Sequence, residues 1–201
     1  MEIIYFKSLP STQLYLLENL SLHKCIWTEY QTNGIGSRGN SWIGEKGNLF
    51  FSFSISKFEL PKDLPLQSIS IYFMYILKSL LNRLGSKVEF KWPNDLFLKN
   101  NKVGGVITNI KNDIIIVGIG LNSYKSSFFG SLDIHIENRY LLKLYLDEVL
   151  KWESWESIFY KYKKDFYSTN FVTSEGIVLK DVILNKDGSI TINNERKFSL
   201  R

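Results

Sequence analysis

The stretch from Asn33 to Trp42, NGIGSRGNSW, places Gly34, Gly36 and Gly39 at the G-x-G-x-x-G spacing of a dinucleotide-binding turn. Such a turn needs a strand before the glycines and a helix opening within them, because the helix N-terminus receives the pyrophosphate. Only the strand is present. Lys24 to Tyr30, KCIWTEY, alternates apolar and polar side chains, but the glycines run on into NSWIGEKGN, which no helix tolerates. Five glycines between Gly34 and Gly47 instead describe a long mobile loop, followed by a second strand over Asn48 to Ser56, NLFFSFSIS. Loops of that length usually either act or are disordered, and a plain surface loop is the competing reading.

Working outward, MEIIYFKSL opens as a strand, and Ser11 or Thr12 caps a helix through TQLYLLENL. Pro61 and Pro65 mark a turn before Gln67 to Leu84, where Ile69, Phe73, Leu77, Leu80 and Leu84 keep a helical period. Val88 to Trp92 is a strand. Leu96 to Lys99 and Lys102 to Ile110 form a hairpin turning at Asn100-Asn101, and Asp113 to Gly120, DIIIVGIG, is an apolar strand. Helices follow at Asn138 to Leu150 and Trp152 to Tyr167. These patterns give an α+β fold with a mixed, mainly antiparallel, meandering sheet and helices on one side. From Thr169 onward the pieces GIVLKDVIL and SITINN, with a turn at Lys186-Asp187-Gly188, read as a small β appendage. The expected division is 1–168 and 169–201.

The 201 residues are 44% hydrophobic, enough for one filled core. Cys25 is the single cysteine and excludes an internal disulfide framework. No charged-then-apolar leader and no apolar run of about 20 residues is present, so a soluble cytoplasmic protein without a membrane partner is expected. Net charge is +5, yet the densest basic run, KYKKD at Lys161 to Asp165, follows Glu153 and Glu156 on a helix-like segment and reads as a solvated face; no nucleic-acid partner is expected. His23 and His135 have no His or Cys neighbour at ligand spacing, which argues against a zinc site.

Two further stretches carry chemistry. In KWPND, Lys91 to Asp95, Pro93 cannot donate to a ladder, so pairing is expected to stop and Asn94 and Asp95 to project from a strand end; an ordinary turn is the alternative. Lys102 then leads into VGGVI. Gly104 and Gly105 inside a β-branched strand cost stability, and either a bulge or something lying flat on the backbone explains them. Loop, carboxylate, lysine and bare strand outline a slot with a positive group at one end, suited to a flat ligand bearing a carboxylate. With the turn at Asn100-Asn101, Asp95 and Lys102 stand four paired positions apart, roughly 13 Å.

QTNGIGSRGNSW, KWPND, KVGGVI and GIGLN, in this order, resemble the biotin protein ligase family, and the ending KFSLR resembles the close of its C-terminal barrel. The resemblance implies a core like that of class II aminoacyl-tRNA synthetases with an SH3-like appendage. It implies a two-step reaction in which biotin and ATP, with Mg²⁺, give biotinyl-5'-adenylate, which then acylates a lysine of a biotin carboxyl carrier protein. By the same resemblance Ser11, Thr12, Gln13, Gln31, Gly34, Ile35, Gly36, Ser37, Gly104 and Gly105 line the biotin site. Lys102 holds the biotin carboxylate and α-phosphate, and Arg38 assists in neutralising them. Lys91 favours the ATP phosphates, Asn94 lies in the adenylate site, Asn122 meets the adenine and Trp42 closes over the adenylate. Asp95 orients the incoming amine and accepts its proton, since a lysine of ordinary pKa arrives protonated. No metal ligand is identified.

Relatives often carry G-R-G-R-x-G in the loop, where this chain has Ile35 and Ser37. Many also carry an N-terminal winged helix; here the sequence starts at the catalytic part, so DNA regulation is not expected. The C-terminal part is shorter than the family's barrel. A lipoate or octanoate ligase on the same fold is the nearest rival, and a non-catalytic basic RNA-binding module the more distant one. An exposed strand edge could support a homodimer.

Overall fold

The structure, a computed structural model, describes residues 1–127, 129–173 and 175–198, without the side chain of Arg38. Twelve strands and four α-helices are described. In chain order they are β1 (Glu2–Phe6), α1 (Thr12–Glu18), β2 (Lys24–Thr28), β3 (Gly34–Ile35), β4 (Ser41–Trp42), β5 (Leu49–Ser56), α2 (Ile69–Arg83), β6 (Glu89–Lys91), β7 (Asp95–Leu98), β8 (Asn101–Lys111), β9 (Ile114–Leu121), α3 (Asn138–Val149), α4 (Trp155–Ser168), β10 (Ile183–Leu184), β11 (Ile190–Ile192) and β12 (Glu195–Lys197).

The main sheet has the order β1-β2-β5-β9-β8-β7-β6, and only the β1–β2 pair in it is parallel. It is therefore mixed and mainly antiparallel, as the sequence pattern indicates. The long hairpin β8–β9 turns at Asn112-Asp113, both with φ near +50° to +60°, the backbone a two-residue turn of this hand requires.

Strand alternation divides the buried side chains between two faces. On β2, Cys25 and Trp27 join the large core with α2, α3 and α4, whereas Ile26 points the other way to meet Leu16 of α1 and Ile116 of β9. The helices thus cover both faces. The expectation of helices on one side fails because α1 is too short to show which face its few apolar residues serve. Burial also raises the Cys25 thiol pKa, so it packs as a small apolar group.

Ser11 caps α1 by accepting from the Leu14 N–H at 3.4 Å. The last expected helix starts at Trp155, not Trp152, because Ser154 caps it by accepting from the Ser157 N–H and Trp152 has φ +48°. The expected strand GIVLKDVIL contains a short 3₁₀ turn, Leu179–Asp181, before β10. β10, β11 and β12 form a separate three-stranded antiparallel sheet. Of the KFSLR ending, 199–201 lie outside the described residues. No described helix is long and apolar enough to cross a membrane.

Candidate active site

The face of the main sheet that carries α1 is bare where β8 and β9 pair. Gly105 stands opposite Gly120, and Ile107 opposite Gly118, all on one face with Ser52 from β5. A side chain here would collide with its surroundings. A Cβ on Gly120 would lie 2.7 Å from the Trp42 ring, one on Gly105 3.1 Å from it, and one on Gly118 2.3 Å from Gln13 Oε1. The object lying flat on the glycine strand is thus the Trp42 indole of the same chain.

Gly104 is not part of this floor. Its Cβ would point to Leu121 and Leu96 in the large core. Successive residues of a strand face opposite ways, so of the expected pair only Gly105 can serve the cavity.

The glycine-rich stretch folds into a small hairpin rather than a structureless loop. Gly34 pairs with Trp42 and Ile35 with Ser41, and the Gly36 N–H donates to Asn40 O at 2.6 Å. This pairing brings Trp42 back over the floor. Gly34 is packed beneath, where a Cβ would lie 2.6 Å from Trp42 O, while Ile35, Gly36 and Ser37 line the cavity wall. The side chain of Arg38 lies outside the described residues.

At one end, α1 supplies Thr12 and Gln13, both buried, next to Gln31 and Ser52. Gln31 Oε1 accepts from the Thr12 N–H at 2.8 Å, and the Thr12 and Ser52 hydroxyls are 2.9 Å apart. Gln13 Nε2 donates to Asn109 Oδ1 at 2.9 Å and to Ile116 O at 3.2 Å, which leaves its buried Oε1 facing the cavity without a protein donor. Ser11 also lines this end.

At the other end stands an ion pair, Lys102 Nζ to Asp95 Oδ1 at 2.7 Å. The expected separation of roughly 13 Å is overturned. The hairpin turns at Lys99-Asn100, with Lys99 at φ +57°, so Leu98 pairs with Asn101 and Phe97 with Lys102. Asp95 is then two positions from the lysine's partner, a gap that the lysine stem spans. A register shift between Leu96 and Phe97 absorbs the residual mismatch.

KWPND is a tight hairpin turn, closed by the pairing of Lys91 with Asp95. Asn94 fixes it to β8: its Nδ2 donates to Val106 O at 2.8 Å and its O accepts from the Val106 N–H at 3.0 Å. Turn and strand-end carboxylate, posed as alternatives in the sequence, coexist. Lys102 Nζ also lies 5.2 Å over the Trp42 ring.

The inner cavity has a volume of about 90 Å³. A larger groove of about 560 Å³ continues from Asp95 and Lys102 past Lys91 to Ile190, Ile192 and Lys197 of the small sheet. Lys91 lies at this outer groove, 5.0 Å over the Phe97 ring and 5.9 Å from the Phe171 centroid. Asn122 is not brought to the cavity: it is buried with its Nδ2 donating to Gly130 O at 2.9 Å, in a stretch that also bonds Val103 and Leu132. Sequence reasoning missed Gly118, Gly120 and Ser52 as site residues. Their signal was available, since glycines two apart in an apolar strand clear one face.

Among the described residues no group of three His, Cys, Asp or Glu side chains could hold a metal ion. The cavity's carboxylate, Asp95, is already paired with Lys102. These side chains do not make an all-protein Mg²⁺ site, which usually needs carboxylates in octahedral array.

The sequence profile of the "Biotin/lipoate A/B protein ligase family" matches residues 5–122. The biotin acetyl coenzyme A carboxylase synthetase of Helicobacter pylori, solved with bound biotinylated ATP, superposes with a TM-score of 0.91 at 37% identity, covering 98% of this chain and 99% of that one. The biotin protein ligase of Aquifex aeolicus, solved with biotin and ATP, has the same fold, with a TM-score of 0.78 at 22% identity over 100% and 96% of the two chains. The bifunctional ligase/repressor BirA of Escherichia coli is 33% identical over 127 residues, which span 57% of this chain and 38% of that protein. Profile and superposition cover the glycine hairpin, the KWPND turn and the β8–β9 floor together, and the chain belongs to the biotin/lipoate A/B protein ligase family.

Proposed function

We propose that the chain is a biotin protein ligase, which activates biotin with ATP to biotinyl-5'-adenylate and transfers the biotinyl group to a lysine of a biotin carboxyl carrier protein. The observation that carries this reading is the joining of two unlike ends in one cavity: a buried nest of hydroxyl and amide groups, and a Lys102–Asp95 pair. The 37% identity to a structure holding biotinylated ATP supports the choice of biotin within the family.

A ureido ring offers one carbonyl acceptor and two N–H donors. With Thr12 donating to Ser52, the Ser52 hydroxyl is left to donate to the carbonyl, and the partnerless Gln13 Oε1 supplies an acceptor. Ile35 and Ile107 suit the thin apolar remainder of the ligand. Its carboxylate then points toward Lys102.

Carboxylate attack on the α-phosphorus joins two anions, so the cation that neutralises both contributes most to the step. Lys102 takes that role, with Arg38 as the expected second cation. Pyrophosphate leaves along the outer groove, where Lys91 serves the phosphates. Mg²⁺, supplied with the nucleotide and not held by a carboxylate cluster among the described residues, would neutralise phosphate charge. In the second step the amine nitrogen bonds to the acyl carbon, AMP departs, and Asp95 accepts the amine proton. Trp42 covers the adenylate from the glycine hairpin, and Asn94 fixes the turn beside it.

Intact-mass spectrometry of a carrier domain incubated with the protein, biotin and Mg-ATP tests the full reaction. One biotin on one lysine is expected. An unmodified carrier in the presence of accumulating adenylate would remove the transfer step from this reading.

A further inference from the structure

The small sheet packs into the large core through Leu184, Ile190 and Ile192, and its 185–189 turn reaches the catalytic sheet. Residues 185–189, between β10 and β11, close on themselves with the Asn185 N–H donating to Ser189 O and the Gly188 N–H to Asn185 O, each 2.9 Å. Two buried indoles grip this turn: Trp92 Nε1 donates to Gly188 O at 2.9 Å and Trp155 Nε1 to Lys186 O at 2.8 Å. Gln67 Nε2 donates to Asp187 Oδ2 at 3.0 Å, and the Ser68 hydroxyl donates to Asp187 O. The approach is close enough to require glycine. Gly188 has φ +75°, and a Cβ there would lie 2.8 Å from Ile71 Cδ1 and 2.9 Å from Ser68 Oγ.

Trp92 is also the first residue of the hairpin turn that delivers Asp95. That turn is held from one side by the Asn94–Val106 bonds and from the other by Trp92 on Gly188. The carboxylate that pairs with Lys102 is therefore placed between β8 and the small sheet. Ile190, Ile192 and Lys197 of that sheet also form the far wall of the groove opening onto Asp95.

We propose that the 185–189 turn positions the Asp95 carboxylate through Trp92, so that the small sheet takes part in acyl transfer instead of merely packing on the core. The inference rests on the reading of Asp95 as the proton acceptor in transfer. Trp92 is a positioning residue: no reacting atom touches it. Proton acceptance needs hydrogen-bond reach to the incoming amine, and a misplacement of about 1 Å can cost on the order of 100-fold. Adenylation depends on the Lys102 cation, which reaches the cavity from the other strand of the hairpin, so it should feel the same displacement less.

Trp92→Phe keeps the ring and removes the N–H. Transfer from preformed biotinyl-5'-adenylate to a carrier domain should slow about tenfold, with adenylation within about twofold of the parent. Trp155→Phe removes the matching bond at the far end of the turn, and should lower Tm comparably while leaving the ratio of the two half-reactions unchanged. In an Asp95→Asn background Trp92→Phe should add less than about twofold, because residues acting through one group are not additive. Parallel loss of both half-reactions, no slowing at all, or equal slowing in both backgrounds would overturn the proposal. If Trp92→Phe does not fold, Gly188→Ala, which displaces the turn with Trp92 intact, should give the same selective loss, and its absence overturns the proposal equally. Wild-type transfer by Asp95→Asn alone would bring down the reading of Asp95 and this inference together, whereas slow transfer by Asp95→Asn with normal Trp92→Phe brings down only the inference.

Discussion

Gly118→Ala places one methyl group between the nest and the sheet. The new Cβ would lie 2.3 Å from Gln13 Oε1 and 3.0 Å from Gln13 Cδ and Ser52 Oγ, roughly 1 Å short of ordinary contact at the closest atom. Gln13 must swing away. It then gives up its bonds to Asn109 Oδ1 and Ile116 O, each worth about 1 kcal/mol net, and its Oε1 leaves the cavity. Those two bonds lie within the protein and their loss lowers stability by about 2 kcal/mol, whereas the lost contact of Gln13 Oε1 to a ureido N–H, about 1 kcal/mol, corresponds to about a fivefold weaker Kd for biotin. Gly104→Ala is the matched control, because its Cβ would face Leu121 Cδ1 at 3.1 Å in the large core. Overpacking there should lower stability by about 1–3 kcal/mol and leave biotin affinity unchanged. Titration calorimetry with biotin, with thermal melts of both variants, separates the two faces of the strand pair. Biotin binding by Gly118→Ala equal to the parent, or an equal loss in a folded Gly104→Ala, would refute this assignment of faces.

Lys102→Ala should abolish adenylate formation, read as the pyrophosphate burst, since it leaves Asp95 and two anionic substrates without their cation; a normal burst would remove Lys102 from the chemistry. Ser37 lines the cavity where relatives often carry arginine, and a charged hydrogen bond is worth about 1.5–3 kcal/mol, so Ser37→Arg should lengthen the bound lifetime of biotinyl-5'-adenylate roughly 10- to 150-fold. An unchanged dissociation rate would mean that other groups retain the intermediate. Burial alone would raise the Asp187 pKa, but hydrogen bonds from Ser189, Gln67 and Arg196 outweigh it and hold it at about 2. A depressed carboxylate stabilises the fold above its unfolded pKa and loses that contribution as pH falls, here between about pH 4 and about pH 2. Asp187→Asn should flatten denaturant midpoints over that window, and equal slopes in the two proteins would contradict the pairing.

Much of the fold was legible because strand and helix periods differ and most elements here are strongly patterned. β5, α2 and β9 follow directly from NLFFSFSIS, the Gln67 to Leu84 period and DIIIVGIG. What was not legible depended on small displacements or on distant partners. Moving one turn from Asn100-Asn101 to Lys99-Asn100 brings Asp95 and Lys102 into contact, because each residue of shift at a hairpin changes the cross-strand offset by two. Lys99 gave no turn signal, and its positive φ is set by the register of the strands it joins. The face of Gly104 followed from alternation alone. Asn122 reads as polar and available, yet its side-chain Nδ2 donates to Gly130 O, a bond that only the folded loop creates. The role of Trp92 needed a partner 96 residues away.

Pyrophosphate exchange into ATP, run with biotin, octanoate, lipoate or no added acid, is the decisive experiment on whether this cavity activates biotin. Exchange that requires biotin and ignores the two fatty acids is the expected result. Exchange with octanoate or lipoate and none with biotin, or no exchange with any acid, would contradict the ligase proposed here.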